Sequence, residues 1–221
     1  MRGKGKTIRK TIALPIRSVD PSLFTQLIPT QHTRSRESCD DCKLNDFAAT
    51  NTMIEIRDEQ QVEVQEIRQV IVAAFGGEVE ANIVETLRYR NKSSVALVSV
   101  SVNKIVGQIM FSPVTIALAP REFRGVGLAP LSVLPEFQGQ GIGSMLTLEG
   151  LKRCTMAGFD MAVVLGNHSY YSRFGFARAG IYGLSNEYGA TENFMAIELK
   201  HGVFDKVSGM VRYSPEFEEC T

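Results

Sequence analysis

The residues best suited to chemistry form a glycine-rich segment in the second half of the chain: Gln138, Gly139, Gln140, Gly141, Ile142, Gly143 and Ser144. The apolar, strand-like run from Leu131 to Leu134 leads into this segment, and an amphipathic helix pattern from Ser144 to Met156 follows it. Glycines remove the side chains that would keep an anion away from the backbone, and unpaired N–H groups at a helix start attract it. The segment therefore predicts a phosphate-binding turn.

The spacing of these glycines excludes two nucleotide-binding motifs. A dinucleotide fingerprint G-x-G-x-x-G that began at Gly139 would need its third glycine at Ser144, and one that began at Gly141 would need it at Leu146. The nucleotide P-loop ends in Gly-Lys-Ser/Thr, and no such triplet follows here. A tight strand-to-helix connection that binds nothing stays open as the alternative.

Two tyrosines further along the chain form the second candidate group. Tyr170 and Tyr171 precede Phe174-Gly175-Phe176, with Asn167 and His168 just before them. A phenol, whose ordinary pKa is about 10, stays protonated at neutral pH and can donate its proton. On the local pattern alone, Tyr171 is better explained as a core aromatic residue beside the two phenylalanines. Turn formation by Asn167 and helix capping by His168 are likewise the ordinary explanations.

The glycine segment also matches Gln/Arg-x-x-Gly-x-Gly/Ala, with Gln138, Gly141 and Gly143 in the fixed positions. This is the pyrophosphate-binding signature of the GNAT superfamily of acyl-CoA-dependent N-acyltransferases, which the chain resembles. Residues 127–143 are similar to the fourth strand and following turn of small, single-domain bacterial members. Residues 163–167 and 170–176 resemble the fifth strand and the short helix after it. The ending, residues 194–217, looks like the YhbS-type branch, so the resemblance spans residues 53 to 217.

The resemblance implies an α/β protein with the GNAT acyl-CoA N-acyltransferase fold, a central mixed sheet with flanking helices. It implies transfer of an acetyl group from acetyl-CoA, as co-substrate, to an amine of an unidentified small-molecule or protein acceptor, through a ternary complex and without a metal. Two other functions stay open. One is a GNAT-fold acyl-CoA-binding or sensing module without turnover, and the other is a protein-interaction domain with a basic arm.

Roles for individual residues follow from the same resemblance. The backbone of the fourth strand would pair with the pantetheine arm, with an N–H near Val133 facing the thioester oxygen, and Tyr171 would protonate the leaving thiolate. Glu122 is the candidate general base because it precedes that strand, whereas Glu136 is assigned to a surface turn because a carboxylate there would repel phosphates. The predicted acyl-CoA site comprises Leu131, Ser132, Val133, Gln138, Gly139, Gln140, Gly141, Ile142, Gly143, Ser144, Asn167 and Tyr170, the last also being the alternative acid.

Hydrophobic periodicity predicts the element order β-α-α-β-β-β-α-β-α-β, a mixed α/β layer. The predicted strands are 53–57, 94–102, 105–116, 131–134, 159–165 and 194–199, and the predicted helices are 60–75, 80–88, 144–156 and 169–174. Asn103-Lys104 is the expected hairpin connection, and Gly76-Gly77 the stop of the first helix. A charged, glycine-rich turn is expected from Pro120 to Gly127.

Charge is distributed unevenly along the 221 residues. Residues 1–52 carry nine Lys/Arg and five Asp/Glu, out of 24 of each in the whole chain. The remainder, the predicted N-acetyltransferase domain (53–221), is thus mildly acidic, which argues against a nucleic-acid partner. Residues 1–52 show no sustained periodicity, and we expect a flexible basic extension that is solvated, or sequence upstream of a natural start at Met53; a transit-like or regulatory arm is the alternative.

Membrane and metal sites are not expected from the sequence. No apolar stretch reaches the roughly 18 residues that span a bilayer, and the apolar run from Ile12 to Ile16 is too short for a secretory signal. The chain is therefore expected to be cytoplasmic, as a monomer or homodimer. A zinc site at Cys39 and Cys42 would need two more ligands, and only His32 lies nearby.

Overall fold

The computed structural model describes residues 53–117 and 119–219. The expected N-terminal extension and the pair Cys39 and Cys42 therefore lie outside the described residues.

A mixed sheet forms the centre of the fold. Its strands are β1 (Ile54–Asp58), β2 (Val95–Ser101), β3 (Lys104–Ile116), β4 (Gly125–Val133), β5 (Met161–Leu165), β6 (Ala177–Arg178), β7 (Leu184–Asn186), β8 (Phe194–Glu198) and β9 (Gly209–Arg212). The main order is β1-β2-β3-β4-β5-β8-β6, while β9 pairs with both β3 and β7. The pairings β4–β5 and β7–β9 are parallel and the others antiparallel. This agrees with the expected mixed α/β architecture.

The helices are α1 (Val64–Phe75), α2 (Val79–Tyr89), α3 (Ile142–Met156), α4 (His168–Tyr171) and α5 (Glu216–Glu219). Helix α1 ends as the sequence predicts, because Gly76 takes the left-handed conformation at φ +73° and its N–H bonds to the carbonyl of Val72 at 2.8 Å. Its start differs from the expectation, since Gln61–Glu63 form a 3-10 turn.

Helix α3 covers one face of the sheet. A Cβ on Gly150 of this helix would stand 2.5 Å from a ring carbon of Phe111 and 3.6 Å from Ile109, so that glycine lets the helix lie close to β3. Alternate residues of β3, including Gln108 and Ser112, therefore face away from α3. On that opposite side α1 packs against β3 and β4, and a second hydrophobic cluster that includes Val114, Val163 and Tyr213 lies with β7 and β9.

Three expectations about secondary structure were wrong. The segment Gly125–Gly127 belongs to β4 rather than to a turn, because side chains of other elements pack directly on these glycines. The hairpin turn is Val102-Asn103, both with positive φ (46° and 61°), one residue earlier than expected. Strand β9 follows the strand expected to be last, and its residues, mostly exposed, carry no readable alternation.

Candidate active site

The sheet opens between β4 and β5. The two strands pair only from Gly125 to Leu128 on β4, opposite Met161–Val164, although β4 continues to Val133. On its other side β4 stays paired with β3, with a bulge where Ile109 and Phe111 face Leu131 and Leu128. The second half of β4 therefore borders a gap with its backbone unpaired toward β5.

The backbone of Val133 points into this gap. Leu134 donates its N–H to the carbonyl of Val106 on β3 at 2.9 Å. Alternate residues of an antiparallel strand direct their N–H and C=O groups to opposite sides, so those of Val133 and Leu131 face away from β3. The carbonyl of Val133 accepts a hydrogen bond from Nε2 of Gln138 at 3.0 Å. The Val133 N–H is thus available at the position where the sequence predicts an oxyanion donor.

Ser132 faces the other way. Its side chain is fully buried, and its hydroxyl donates to the carbonyl of Gln108 over a long 3.5 Å. This contact fits the expectation that only the backbone of this residue matters for a ligand.

The glycine turn connects the gap to α3. Gly139 and Gly141 have φ of +77° and +84°, and a Cβ on either would meet no atom within 4 Å. Their requirement for glycine is thus conformational, and the space outside them is open. Gly141 caps α3, whose first internal bond runs from the N–H of Met145 to the carbonyl of Gly141 at 3.0 Å. The N–H groups of Ile142, Gly143 and Ser144 therefore lack helical partners and lie at the turn.

Side chains around the turn leave its backbone accessible. The side-chain amide of Gln138 already donates to the carbonyl of Val133, and Nε2 of Gln140 donates to the carbonyl of Glu136 at 3.1 Å. Glu136 is exposed and pairs with Lys104 at 3.4 Å, as its assignment to a surface turn predicts. Helix α3 has no acidic residue in its first turn. The positive end of its dipole is therefore not offset by a carboxylate within that turn.

Gly143 serves a different purpose from the other two glycines. A Cβ at this position would stand 2.8 Å from the hydroxyl oxygen of Tyr170. The hydroxyl is buried beside the side chains of Ser144 and Thr147, yet has no hydrogen bond of ordinary geometry within the described part of the chain. Burial raises the pKa of Tyr170, more than its polar neighbours lower it. Tyr170 thus packs its hydroxyl end against the first turn of α3 at Gly143.

Tyr171, the last residue of α4, packs against the end of β5. Its ring lies directly on Gly166, where a Cβ would come within 2.2 Å of the ring, and makes edge contacts with Phe176 and Tyr170 at centroid distances of 5.7 and 4.9 Å. Burial strongly raises the pKa of Tyr171, and the neighbouring Tyr170 raises it further. The phenol therefore stays protonated at neutral pH. Core packing and proton donation are both compatible with this position.

Asn167 is the N-cap of α4. Its Oδ1 accepts a hydrogen bond from the N–H of Tyr170 at 3.2 Å. This contact accounts for the residue by the ordinary explanation, and a bond to pantetheine stays a prediction. His168 is the first residue of α4 and is exposed.

Glu122 is not brought to the gap. It is exposed in the turn before β4, at the end of that strand opposite to Val133. A nine-residue strand separates the two ends by roughly 25 Å. The assignment of Glu122 as general base, which rested on its nearness in sequence, therefore has no geometric basis.

One close aromatic contact on β4 was missed by sequence reasoning. The ring of Tyr213, just after β9, lies on Gly127 of β4, where a Cβ would stand 2.5 Å from its Cε1 atom. A glycine inside a strand is the signal for such a close approach, but Gly127 was assigned to a turn.

A separate cavity of about 450 Å³ opens beyond the end of β8. Its lining residues are Ile181, Tyr182, Glu198, His201, Gly202, Phe204 and Asp205. The carboxylate of Glu198 accepts from the N–H of Phe204 at 2.9 Å, so this acid holds the loop that forms the wall. None of the residues predicted for acyl-CoA lines this cavity.

Residues 53–117 and 119–219 contain no group of three or more His, Cys, Asp or Glu side chains that could hold a metal ion. Within the same ranges, every helix is too short or too polar to cross a bilayer.

Comparison with known proteins identifies the family. Residues 55–179 match the model of the Acetyltransferase (GNAT) domain family. The uncharacterized N-acetyltransferase YhbS of Escherichia coli K12 is 31% identical over 164 residues, which cover 73% of this chain and 97% of that protein.

Two solved structures share the fold. The crystal structure of Escherichia coli YhbS in complex with CoA has a TM-score of 0.72 and 28% identity, covering 82% of this chain and 96% of that one. A GNAT family acetyltransferase from Brucella melitensis in complex with acetyl-CoA has a TM-score of 0.63 and 35% identity, covering 76% and 99%. Sequence, fold and relatives agree, and the chain belongs to the GNAT family of N-acetyltransferases.

Proposed function

We propose that this protein transfers an acetyl group from acetyl-CoA to the amine of a small molecule or protein, through a ternary complex. The observation that carries the proposal is the gap beside β4, which leads to a turn lined by backbone N–H groups. The CoA and acetyl-CoA complexes of the two related structures support the choice of co-substrate.

In this proposal the pyrophosphate binds at the turn from Gln138 to Ser144. The donors are backbone N–H groups at the start of α3, since the Gln138 side chain is already bonded to Val133. The open space around Gly139 and Gly141 fits the approach of phosphate oxygens. The pantetheine arm lies along Leu131 to Val133 and pairs with their free backbone groups in the manner of an added strand.

Transfer then needs three events at the gap. The neutral amine attacks the thioester carbonyl, and the carbonyl oxygen takes up negative charge that the Val133 N–H stabilises, an effect worth about 3 kcal/mol. The C–S bond breaks, and the sulfur takes a proton from the hydroxyl of Tyr171. The nitrogen of the new amide loses its extra proton to solvent or to a base. Since Glu122 lies at the far end of β4, we assign no side chain to that last step.

The test is calorimetry with acetyl-CoA, followed by release of free thiol in the presence of a panel of amines and peptides. Binding together with acceptor-dependent thiol release supports the transferase. Binding without release for any acceptor would favour the sensing module, and lack of binding would reject both. Fractionation and light scattering test the cytoplasmic location and the monomer or homodimer.

A further inference from the structure

Arg173 places a positive charge beside the glycine turn. It lies in the 3-10 turn Ser172–Phe174 that follows α4, and its guanidinium stands 4.5 Å from the ring centroid of Tyr170. The hydroxyl of that ring packs against Gly143, in the first turn of α3. A single tyrosine ring therefore separates the guanidinium from the helix start at which the pyrophosphate is proposed to bind.

The titration of Tyr170 agrees with this arrangement. Burial raises the pKa of its hydroxyl, whereas the neighbouring Thr147 and Ser144 and the positive charge of Arg173 lower it. A positive charge has this effect because it favours the ionised form of a nearby phenol. The field of Arg173 thus acts on a group that contacts the turn directly.

The guanidinium of Arg173 is only partly used by the fold. Its Nε donates to the carbonyl of Tyr170 at 3.1 Å, and its flat face rests on the rings of Tyr170 and Phe174, whose centroids are 4.5 and 5.3 Å away. Its two terminal nitrogens have no partner within residues 53–117 and 119–219. The side chain is half-buried and reaches solvent. The terminal N–H groups, which suit phosphate oxygens, are therefore available.

The other basic side chains near the turn are occupied. Those of β3 and α3 are each paired with a carboxylate: Lys104 with Glu136 at 3.4 Å, and Lys152 and Arg153 with Glu149 at 3.2 and 2.8 Å. Strands β4 and β5 contain no Lys or Arg. Gln138 in the turn is neutral and already bonded to Val133. Arg173 has no carboxylate partner in the described part of the chain, so its charge is not neutralised there.

We propose that Arg173 binds a phosphate group of acyl-CoA, with its guanidinium held on the Tyr170 ring and its terminal N–H groups directed at phosphate oxygens. A guanidinium can rest on an aromatic face and bind phosphate at the same time. The inference rests on the proposed acyl-CoA site and adds a full positive charge to a site otherwise built from backbone N–H groups. CoA carries phosphate both in its pyrophosphate and at the ribose 3′ position, and both offer the same chemistry.

Arg124 provides a matched control. Its guanidinium also lies on an aromatic ring, that of Phe159 at 4.4 Å, and donates to a backbone carbonyl, that of Ala157 at 2.8 Å. It precedes β4 at the end of the strand opposite to the glycine turn. Calorimetry on the full chain would measure the affinity of the wild type, Arg173→Met, Arg173→Lys and Arg124→Met for CoA and for dephospho-CoA, which lacks the 3′-phosphate.

Arg173→Met should lose about 5- to 30-fold in affinity for CoA, as expected for charge-assisted hydrogen bonds in a site that solvent partly screens. Arg124→Met should keep the wild-type affinity. Arg173→Lys should recover part of the loss, because the positive charge remains. Added salt should narrow the difference between the wild type and Arg173→Met. A loss confined to CoA would identify the 3′-phosphate as the partner, and an equal loss with dephospho-CoA would identify the pyrophosphate.

The outcomes separate this inference from the proposed function. Failure of the wild type to bind CoA would reject the acyl-CoA site, and the role of Arg173 with it. If the wild type binds CoA but Arg173→Met binds it equally well, or if Arg124→Met weakens binding as much, Arg173 does not bind phosphate. A loss that neither Arg173→Lys nor salt reduces would show that the guanidinium acts only by packing on Tyr170.

Discussion

The hydroxyl oxygen of Tyr170 lies 2.8 Å from the point where a Cβ on Gly143 would stand. The ring itself is fixed by Tyr171, Phe174 and the guanidinium of Arg173, which lies 4.5 Å from the ring centroid. The second glycine of the binding signature, Gly143, is therefore required by the tyrosine that packs against the turn.

This contact predicts that the effect of Gly143→Ala on the free energy of unfolding changes sign when the Tyr170 hydroxyl is removed. Gly143→Ala should cost about 1–2 kcal/mol of unfolding free energy, because the new methyl group overpacks against the hydroxyl. In a Tyr170→Phe background the same change should stabilise by up to about 1 kcal/mol, since alanine favours helix over glycine. Urea unfolding of the four proteins measures the coupling. Equal effects in both backgrounds would contradict the contact.

Gly141→Val should weaken acetyl-CoA binding at least about tenfold, since the side chain projects into the open space where phosphate is proposed to bind. The matched control is Gly76→Val, which also has positive φ (+73°) and open surroundings but caps α1 instead. Both should lose a similar stability of about 1–3 kcal/mol from strain. Calorimetry should show full acetyl-CoA affinity only for the Gly76 variant. Undiminished affinity in folded Gly141→Val would refute the phosphate site.

Tyr171→Phe should lower kcat for thiol release by roughly 10² to 10⁴, the usual contribution of general acid catalysis. The ring and its contact with Gly166 are retained, so the fold and acetyl-CoA affinity should be preserved. Tyr170→Phe is the control, because that hydroxyl faces α3 rather than the gap. The assay uses whichever amine the panel identifies. Equal kcat for wild type and Tyr171→Phe would return Tyr171 to a packing role.

Stability should fall at alkaline pH. Burial raises the pKa of the Cys154 thiol from 9.0 to about 12. Between these values the unfolded chain has lost a proton that the folded protein keeps, so the unfolding free energy decreases as pH rises. Cys154 contributes up to about 1.4 kcal/mol per pH unit there. Cys154→Ala should flatten the pH dependence measured by denaturant titration between pH 9 and 12, apart from any constant cavity cost. An unchanged slope would contradict this.

Deletion of residues 1–52 should leave acetyl-CoA affinity and melting temperature nearly unchanged. The part of the chain that the structure describes already contains two hydrophobic clusters, and the family match begins at residue 55. Thermal unfolding of the chain started at Met53 checks this. Loss of soluble, cooperatively folding protein would show that the segment belongs to the domain.

The sequence predicted those parts of the site that depend on local backbone. A glycine-rich turn followed by a helix from Ser144 was predicted from residue types over a few positions. The structure has that turn, with positive φ at Gly139 and Gly141, and a helix that begins two residues earlier, at Ile142. Glu122 was misplaced because nearness in sequence does not give distance once a strand intervenes. Tyr213 was missed because its contact with Gly127 joins segments far apart in the chain.

The same limit applies to the fold. Helix α1 was predicted from its apolar spacing and its glycine stop, both local signals. Strand β9 depends on pairing with β3 and with β7, and its own four residues give no periodicity. Glycines in β4 suggested a turn, yet they are there because Tyr213 and Phe123 occupy the space above them.

The incomplete pairing of β4 also leaves a free strand edge within the sheet. An exposed strand edge normally invites another sheet, with the risk of aggregation. Here the free edge is the second half of β4, which faces β5 of the same sheet, and α4 follows soon after β5 in the chain. An extended chain can pair with that free edge in the way that a neighbouring strand would. The protein thereby keeps an edge that attracts extended ligands while sheltering it from other copies of itself.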